Sequence, residues 1–324
     1  MLETMLLRGF IIIVALIALA RPASAQVTLS LINEYPATAI SGEADAFFAD
    51  AVMRRSAGRI VVQPIPDAKS GLRSRDQLKA VTEGRFAMAN SVGGTLGDED
   101  PLFLLSSLPF VTPTVGDARA LYEAAKPLYE RLFAERKQKL LYVVPWPPSG
   151  VWSAVPLRGA AALKSLKIRT YDNTGTEVMA KVAASAAIVS FSELNTKLES
   201  GEINAVLSSG DGGAGRQMWK YLKNFSEVGY ALPLSFASIS LAAWTSLDDA
   251  GRSALEAARA RNNRTAMVGA DKPPLRELRA HAPEWRRDRR ETAGRRDGCA
   301  ACRSRYNCHR VAGPCGTGCA ARVA

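Results

Sequence analysis

An α/β fold built as two lobes with mainly parallel sheets is what the sequence predicts, on three observations. Strand-like and helix-like segments alternate over residues 26–144 and do so again over 150–230, the pattern of βαβ units. No Ser/Gly-rich linker parts the two stretches, so they read as lobes packed into one unit. Size and composition are the third: 324 residues, 47% hydrophobic and 23% charged, suffice for two domains and exclude collagen-like, wholly disordered and polytopic membrane chains.

Each element has a local reason. From Val27, VTLSLI alternates apolar and polar residues at the period of a strand, and Asn33-Glu34-Tyr35-Pro36 leaves it as a loop. From Ser41 onward, Phe47, Phe48, Ala51 and Val52 recur at helical spacing until Ala57-Gly58. RIVVQP (59–64) is a short strand, residues 77–84 a helix stopped by Gly84, and residues 85–89 a buried strand. The apolar run PLFLLSSLPFV (101–111) is interrupted by Ser106 and Pro109. Residues 117–138 read as a long amphipathic helix with Leu121, Leu128 and Leu132 on one side. A strand at 140–144 breaks into Pro145-Trp146-Pro147-Pro148, a rigid loop. The second stretch brings a strand LKIRT (166–170), helices at 176–184 and 193–200, the latter stopped by Gly201, and a strand at 203–207.

The two ends differ from the body. Arg8, an apolar run at 9–20 and Ala23-Ser24-Ala25 form a secretory signal peptide, with the mature, periplasmic chain expected to begin at Gln26. Twelve residues rising about 1.5 Å each fall short of a hydrocarbon core of roughly 30 Å, so a permanent anchor is the weaker reading. Residues 272–324 carry 13 basic and 5 acidic residues, leaving 29 against 26 in the first 271. Basicity therefore belongs to the tail, without the charged stripe on a folded face that nucleic-acid binding needs.

All five cysteines (Cys299, Cys302, Cys308, Cys315, Cys319) and both histidines (His281, His309) also lie in the tail, so the body can form no disulfide, Cys/His metal site or His-based triad. Cys299-x-x-Cys302 followed by adjacent Cys308 and His309 lacks the spacing of a zinc site. With only Leu275, Leu278, Val311 and Val323 as aliphatic residues, the tail is expected to be disordered. Its Arg-, Ala-, Gly- and Cys-rich text reads as an out-of-frame or degraded gene end; a natural basic tail for an anionic surface is the rival reading.

In open parallel sheets, ligands bind beyond the carboxyl ends of strands. That rule selects Asn33-Glu34, Asn90-Ser91, residues 170–175, and residues 208–215 with Ser208, Ser209 and Asp211. Gly210, Gly212 and Gly215 loosely match a dinucleotide fingerprint, but no Gly-Lys-Ser/Thr follows and the stretch reads as a polar hinge-side loop. Asp248-Asp249 and Asp98-Glu99-Asp100 suit helix starts and loops better than acid/base catalysis. Trp146, Trp152, Trp219 and Trp244 read as core or lobe-interface residues. On LKIRT, Arg169 shares a face with Lys167, opposite Leu166, Ile168 and Thr170; by itself it reads as a solvated or paired charge. No constellation calls for a catalytic role, a cofactor or a metal.

The segments SAGRIVVQPIPDAKSG, LKAVTEGRFAMA, LFLLSSLPFV, LLYVVPWPPSGVWS, LKSLKIRTYDNTGTEVM, FSELNTKLESGEINAVLSS and WTSLDDAGRSALEAARA span about residues 27–268. In this order they resemble the DctP-type substrate-binding proteins of TRAP transporters, the tripartite ATP-independent periplasmic family. LKSLKIR followed by FSEL and ESGEINAV is the most specific part. The resemblance implies a fold of the periplasmic binding protein type with its ligand cleft between two lobes. It further implies a non-enzymatic, monomeric receptor that closes on a small organic acid and delivers it to TRAP membrane permease subunits. Arg169 matches the Arg that holds the ligand carboxylate in that family, a task suited to the planar fork of a guanidinium.

Three departures qualify it. Gly150-Val151-Trp152 stands where many members have a second Arg, so Trp152 is expected to be an aromatic wall. The common Gly-x-x-Asp-Gly appears as Gly201-Glu202-Ile203-Asn204-Ala205, with Ser208-Ser209 as the ligand loop. Beyond Val268 the aberrant tail stands where the family's C-terminal helices are expected. One Arg beside Trp146 and Trp152 favours a monocarboxylate with an apolar or aromatic portion over a sugar acid.

The expected ligand set is then Arg169, Trp152, Asn90, Ser91, Trp146, Ser208, Ser209, Asp211, Asn33 and Glu34. The expected organisation is a signal peptide (1–25), lobe I (26–146 with 235–271), lobe II (147–234) and the tail (272–324). A receptor for an ABC importer, an exported acid-processing enzyme and a non-functional remnant are the rival readings.

Overall fold

The computed structural model describes residues 26–183 and 185–269; the expected signal segment and Arg/Cys-rich tail lie outside the described residues. The first lobe opens with β1 (Val27–Asn33), α1 (Ile40–Arg55), β2 (Ile60–Ile65), α2 (Ser74–Thr82) and β3 (Met88–Val92). Gly93–Leu96 and Pro101–Ser107 are short 3-10 turns, the second taking up the apolar run interrupted by Ser106 and Pro109. Then follow α3 (Val115–Glu135) and β4 (Gln138–Pro145). Thr114 and Asp117 start α3 by a reciprocal capping box, each side chain accepting from the other's backbone N–H.

The chain crosses to the second lobe as β5 (Ser149–Ser153), α4 (Ala160–Leu163), β6 (Lys167–Thr170), α5 (Asn173–Ala180), β7 (Ser185–Ile188), α6 (Leu194–Glu199), β8 (Ala205–Ser209), α7 (Gly210–Gly215) and β9 (Asn224–Ser226). It returns as β10 (Leu234–Ser240), α8 (Leu241–Thr245) and α9 (Asp249–Gly269). Two five-stranded sheets result, ordered β2-β1-β3-β10-β4 and β7-β6-β8-β5-β9.

The two-lobed α/β plan stands, but the sheets are mixed rather than mainly parallel. β1 and β6 each pair in parallel on both sides, whereas β10 is antiparallel to β3 and β4, and β5 to β8 and β9. The cause is the crossing: β10 and β5 enter their sheets from the other lobe, so they run against strands that were wound locally.

Both faces of the first sheet are covered. Leu29, Leu31 and Met88 meet Phe48 and Val52 of α1 and Leu255 and Ala258 of α9 on one face. On the other, Leu140, Val143 and Phe236 meet Tyr122, Tyr129 and Phe133 of α3. Leu132 joins that face as expected; Leu128 is exposed, because the buried stripe runs through Ala118, Tyr122, Ala125 and Tyr129 instead. The pairing of β4 with β10 slips at Leu141, a bulge that places both Leu141 and Tyr142 on the α1 side. In the second lobe, Val151, Ile168, Met179, Leu207 and Tyr230 form the core.

Candidate functional site

Between the lobes lies a cavity of about 310 Å³, counting the space that opens to solvent. The first lobe contributes Tyr35, just past β1, and Val92, the last residue of β3. The crossing segments contribute Trp146 and Pro233, and the second lobe Ser149, Arg169, Tyr171, Ser208 and Ser209. Most of these stand at carboxyl ends of strands, where parallel winding leaves room between successive crossovers.

Arg169 is the only ionisable cation among the lining residues and is 2% exposed. Its strand β6 pairs with β7 at Ala187 and with β8 at Val206, so the backbone is held on both sides. The side chain is pinned as well: Nε donates to the Val189 carbonyl at 2.7 Å and Nη1 to the Leu207 carbonyl at 3.2 Å. Tyr35 supplies a further hydrogen-bonding neighbour, and among the described residues no carboxylate lies within ion-pair distance of the guanidinium. A buried guanidinium with carbonyl partners and no carboxylate in direct contact is arranged to receive an anion.

Aromatic rings shape the rest. Tyr35 stacks on Phe191 of the other lobe, centroids 4.0 Å apart, and meets Trp146 at 4.7 Å. Trp146 is fixed by its indole N–H, which donates to Ser235 Oγ at 2.8 Å. Burial pushes the Tyr35 phenol far above its ordinary pKa, with Arg169 pulling it part of the way back, so it remains an O–H donor. Asp172, which caps α5 by accepting the Gly175 N–H at 2.7 Å, is likewise raised, chiefly by burial.

The lobes are shut on each other by contacts around the cavity. Glu34 spans them: Oε1 accepts from the backbone N–H and Oγ of Ser192, and Oε2 from the Ser74 N–H. Arg216 pairs with Asp67 at 3.0 Å, Arg73 with Glu193 at 2.6 Å, and Asn173 Nδ2 donates to Asp98 at 2.8 Å. A second cavity of about 240 Å³, likewise counting space open to solvent and bordered by Glu34, Arg75 and Phe191, also reaches Arg169 and Tyr35.

Several expected ligand residues have other work. Asn33 and Asn90 project to the α1 side with Leu29, Leu31 and Met88, because alternate strand residues share a face. There their side-chain amides donate to Asp45 at 2.7 and 2.6 Å, and the Tyr142 hydroxyl donates to it at 2.7 Å. Ser91 points to the opposite face, its Oγ 2.7 Å from the Gln77 amide. Trp152 is no cavity wall: it is fully buried against Phe225, donates to the Ser209 carbonyl, and occupies the space that a Cβ on Gly213 would need. Glu34 borders the smaller cavity, with both oxygens already bonded. The Asp211 side chain lies outside what the structure describes.

Arg169, Trp146, Ser208 and Ser209 do line the larger cavity. Tyr35, Val92, Ser149, Tyr171 and Pro233 were not anticipated. Tyr35, Val92 and Tyr171 fall beside or inside loops chosen by the strand-end rule; Ser149 and Pro233 do not, being brought in by lobe packing.

Residues 33–271 match the family model described as "Bacterial extracellular solute-binding protein, family 7", DctP. No curated protein matches the chain. Among solved structures, the chain is similar to DctP6 of Bordetella pertussis, an extracytoplasmic solute receptor binding pyroglutamic acid. That match has 25% identity and a TM-score of 0.74, over 78% of this chain and 84% of that one. It is similar in fold to a pyroglutamate-specific TRAP solute-binding protein from an unidentified marine microbe, at 24% identity and TM-score 0.74, covering 79% and 84% of the two chains. A third likeness in fold is a TRAP periplasmic protein of Pseudomonas aeruginosa with bound L-malate, at 16% identity and TM-score 0.72, covering 83% and 91%.

Proposed function

This chain belongs to the bacterial extracellular solute-binding proteins of family 7, and from that premise we propose that it is a periplasmic receptor for a small monocarboxylate, which it passes to a TRAP-type membrane permease. The observation that carries the reading is Arg169, buried on the cavity and held by two carbonyls without an acidic partner. Desolvating an unpaired guanidinium costs several kcal/mol, and a ligand carboxylate repays that by bidentate, charge-assisted bonds. Tyr35, Trp146, Val92 and Pro233 give the ligand's remainder an apolar, partly aromatic seat, which offers few partners to the hydroxyls of a sugar acid. The Bordetella pertussis receptor that binds pyroglutamic acid supports a compact acid as the first candidate. The receptor acts without chemical turnover: a ligand that touches both lobes only when they are shut shifts the population to the closed form.

A thermal-shift series on the mature chain tests this, with pyroglutamate, 4-methylpentanoate, phenylacetate, malate and galacturonate as solutes. At about 100 times Kd a ligand adds about 2.7 kcal/mol, which raises the melting temperature by roughly 4–5 °C for a chain of this size. One or more monocarboxylates are expected to do so, and galacturonate is not. No shift with any acid overturns the reading. Export is checked separately: mass spectrometry of protein from the periplasmic fraction should give a chain starting at Gln26, and an intact Met1 counts against it.

A further inference from the structure

Two buried hydroxyls on residues that line the cavity lack a hydrogen bond of good geometry within the protein. Ser149 Oγ and the Tyr171 OH both belong to lining residues, at 1% and 5% exposure, and neither atom has a hydrogen-bond partner. Ser149 is the first residue of β5, and its backbone is already engaged, accepting from Tyr230 N–H and donating to the Ala231 carbonyl. Tyr171 directly follows β6, two residues past Arg169, and its ring lies 5.9 Å from the Arg169 guanidinium. The Tyr171 hydroxyl approaches those of Ser149 and of Ser107, from the first lobe, without reaching hydrogen-bonding geometry with either. Buried hydroxyls in native proteins are almost always bonded, so an unbonded pair on a cavity wall, next to a guanidinium, is a site lacking its partner.

We propose that Ser149 and Tyr171 form a second recognition point, which reads a neutral hydrogen-bonding group, a hydroxyl or an amide, close to the ligand's carboxylate. This rests on the receptor reading above and narrows its substrate class to hydroxy acids and lactam or amide acids. The chemistry favours a neutral group. A hydroxyl can donate and accept, which suits an amide or alcohol. A second carboxylate would be placed next to Asp172, the neighbour of Tyr171. Burial and Asp172 both push the Tyr171 phenol well above its ordinary pKa, so it keeps its proton and bears no charge for an ammonium to pair with.

A ring series isolates the second point: pyroglutamate, proline and cyclopentanecarboxylate share a five-membered ring and a carboxylate but carry an amide, an ammonium or nothing beside it. 2-Hydroxy-4-methylpentanoate against 4-methylpentanoate repeats the comparison on an open chain. By calorimetry on the wild-type mature chain, the amide or hydroxyl member should bind roughly 10- to 100-fold more tightly than its partner lacking the group. Tyr171→Phe and Ser149→Ala should erase that preference, the loss falling on the amide or hydroxyl member far more than on the unsubstituted acid, whereas a damaged fold would weaken both alike. Equal binding within both series, or a preference for proline, overturns the second point and leaves the receptor standing. Failure of all five acids to bind overturns the receptor reading, and this with it.

Discussion

Replacing Arg169 by Ala is expected to weaken carboxylate binding by roughly 30- to 5,000-fold, the equivalent of about 2–5 kcal/mol for removing one partner of a buried charge pair. The size follows from the setting. The guanidinium is 2% exposed, so its bond to a ligand oxygen is not diluted by water, and Val189 and Leu207 hold it ready. Arg169→Lys should lose nearly as much, since a single ammonium cannot bond both carbonyls and still present a planar fork. Thermal unfolding of the ligand-free variant serves as the control, because Arg169→Ala also removes the donors of the Val189 and Leu207 carbonyls. Calorimetry giving wild-type affinity for either variant would take the anion site away from Arg169.

The second large effect is expected at Asp45, outside the cleft. Its carboxylate gathers the amides of Asn33 and Asn90 and the hydroxyl of Tyr142, tying β1, β3 and β4 to α1. Asp45→Ala strands these three buried donors, at about 1–3 kcal/mol each, and should lower unfolding stability by roughly 3–5 kcal/mol after relaxation. The same group brings a pH dependence. Burial pushes the Asp45 carboxyl from 3.8 up to about 6 against the pull of its three donors. The folded state then holds this proton more firmly than the unfolded one. Its contribution is complete below about pH 4, is lost as the pH rises through about 6, and is constant above; the span is about 3 kcal/mol. Denaturant unfolding of wild type and Asp45→Asn at pH 4, 5, 6 and 7 reads it out. The wild type's advantage should shrink between pH 4 and 6, and a gap that stays level across the series would sink the assignment.

The architecture was largely legible because its helices and inner strands carry clear periodicity. β10 was not: Leu234 and Phe236 share one face with Ser238 and Ser240, and Ile239 the other with Ser235, so no clean alternation shows. That strand is buried on both faces, and its serines are bonded: Ser235 accepts from Trp146 and Ser238 donates to Gln138. The site was legible to the level of loops. Strand ends pointed to the right neighbourhood, but the face a side chain takes decides its role, and a strand-end rule is silent on faces. Asn33 and Tyr35 are two residues apart, yet one braces Asp45 and the other lines the cavity. Trp152 misled for a related reason: its ring is drawn into the lobe by Gly213, a packing relation between residues 61 positions apart.

The residues around the larger cavity are all nine-tenths or more buried, and the halves are bridged by Glu34, Arg216, Arg73 and Asn173. With walls so deeply buried, release of a guest is expected to require these bridges to part. Cargo acquired in the cell should consequently ride through dilution and chromatography, so that heat-denaturing freshly purified protein and weighing the released small molecules would give the guest's identity directly.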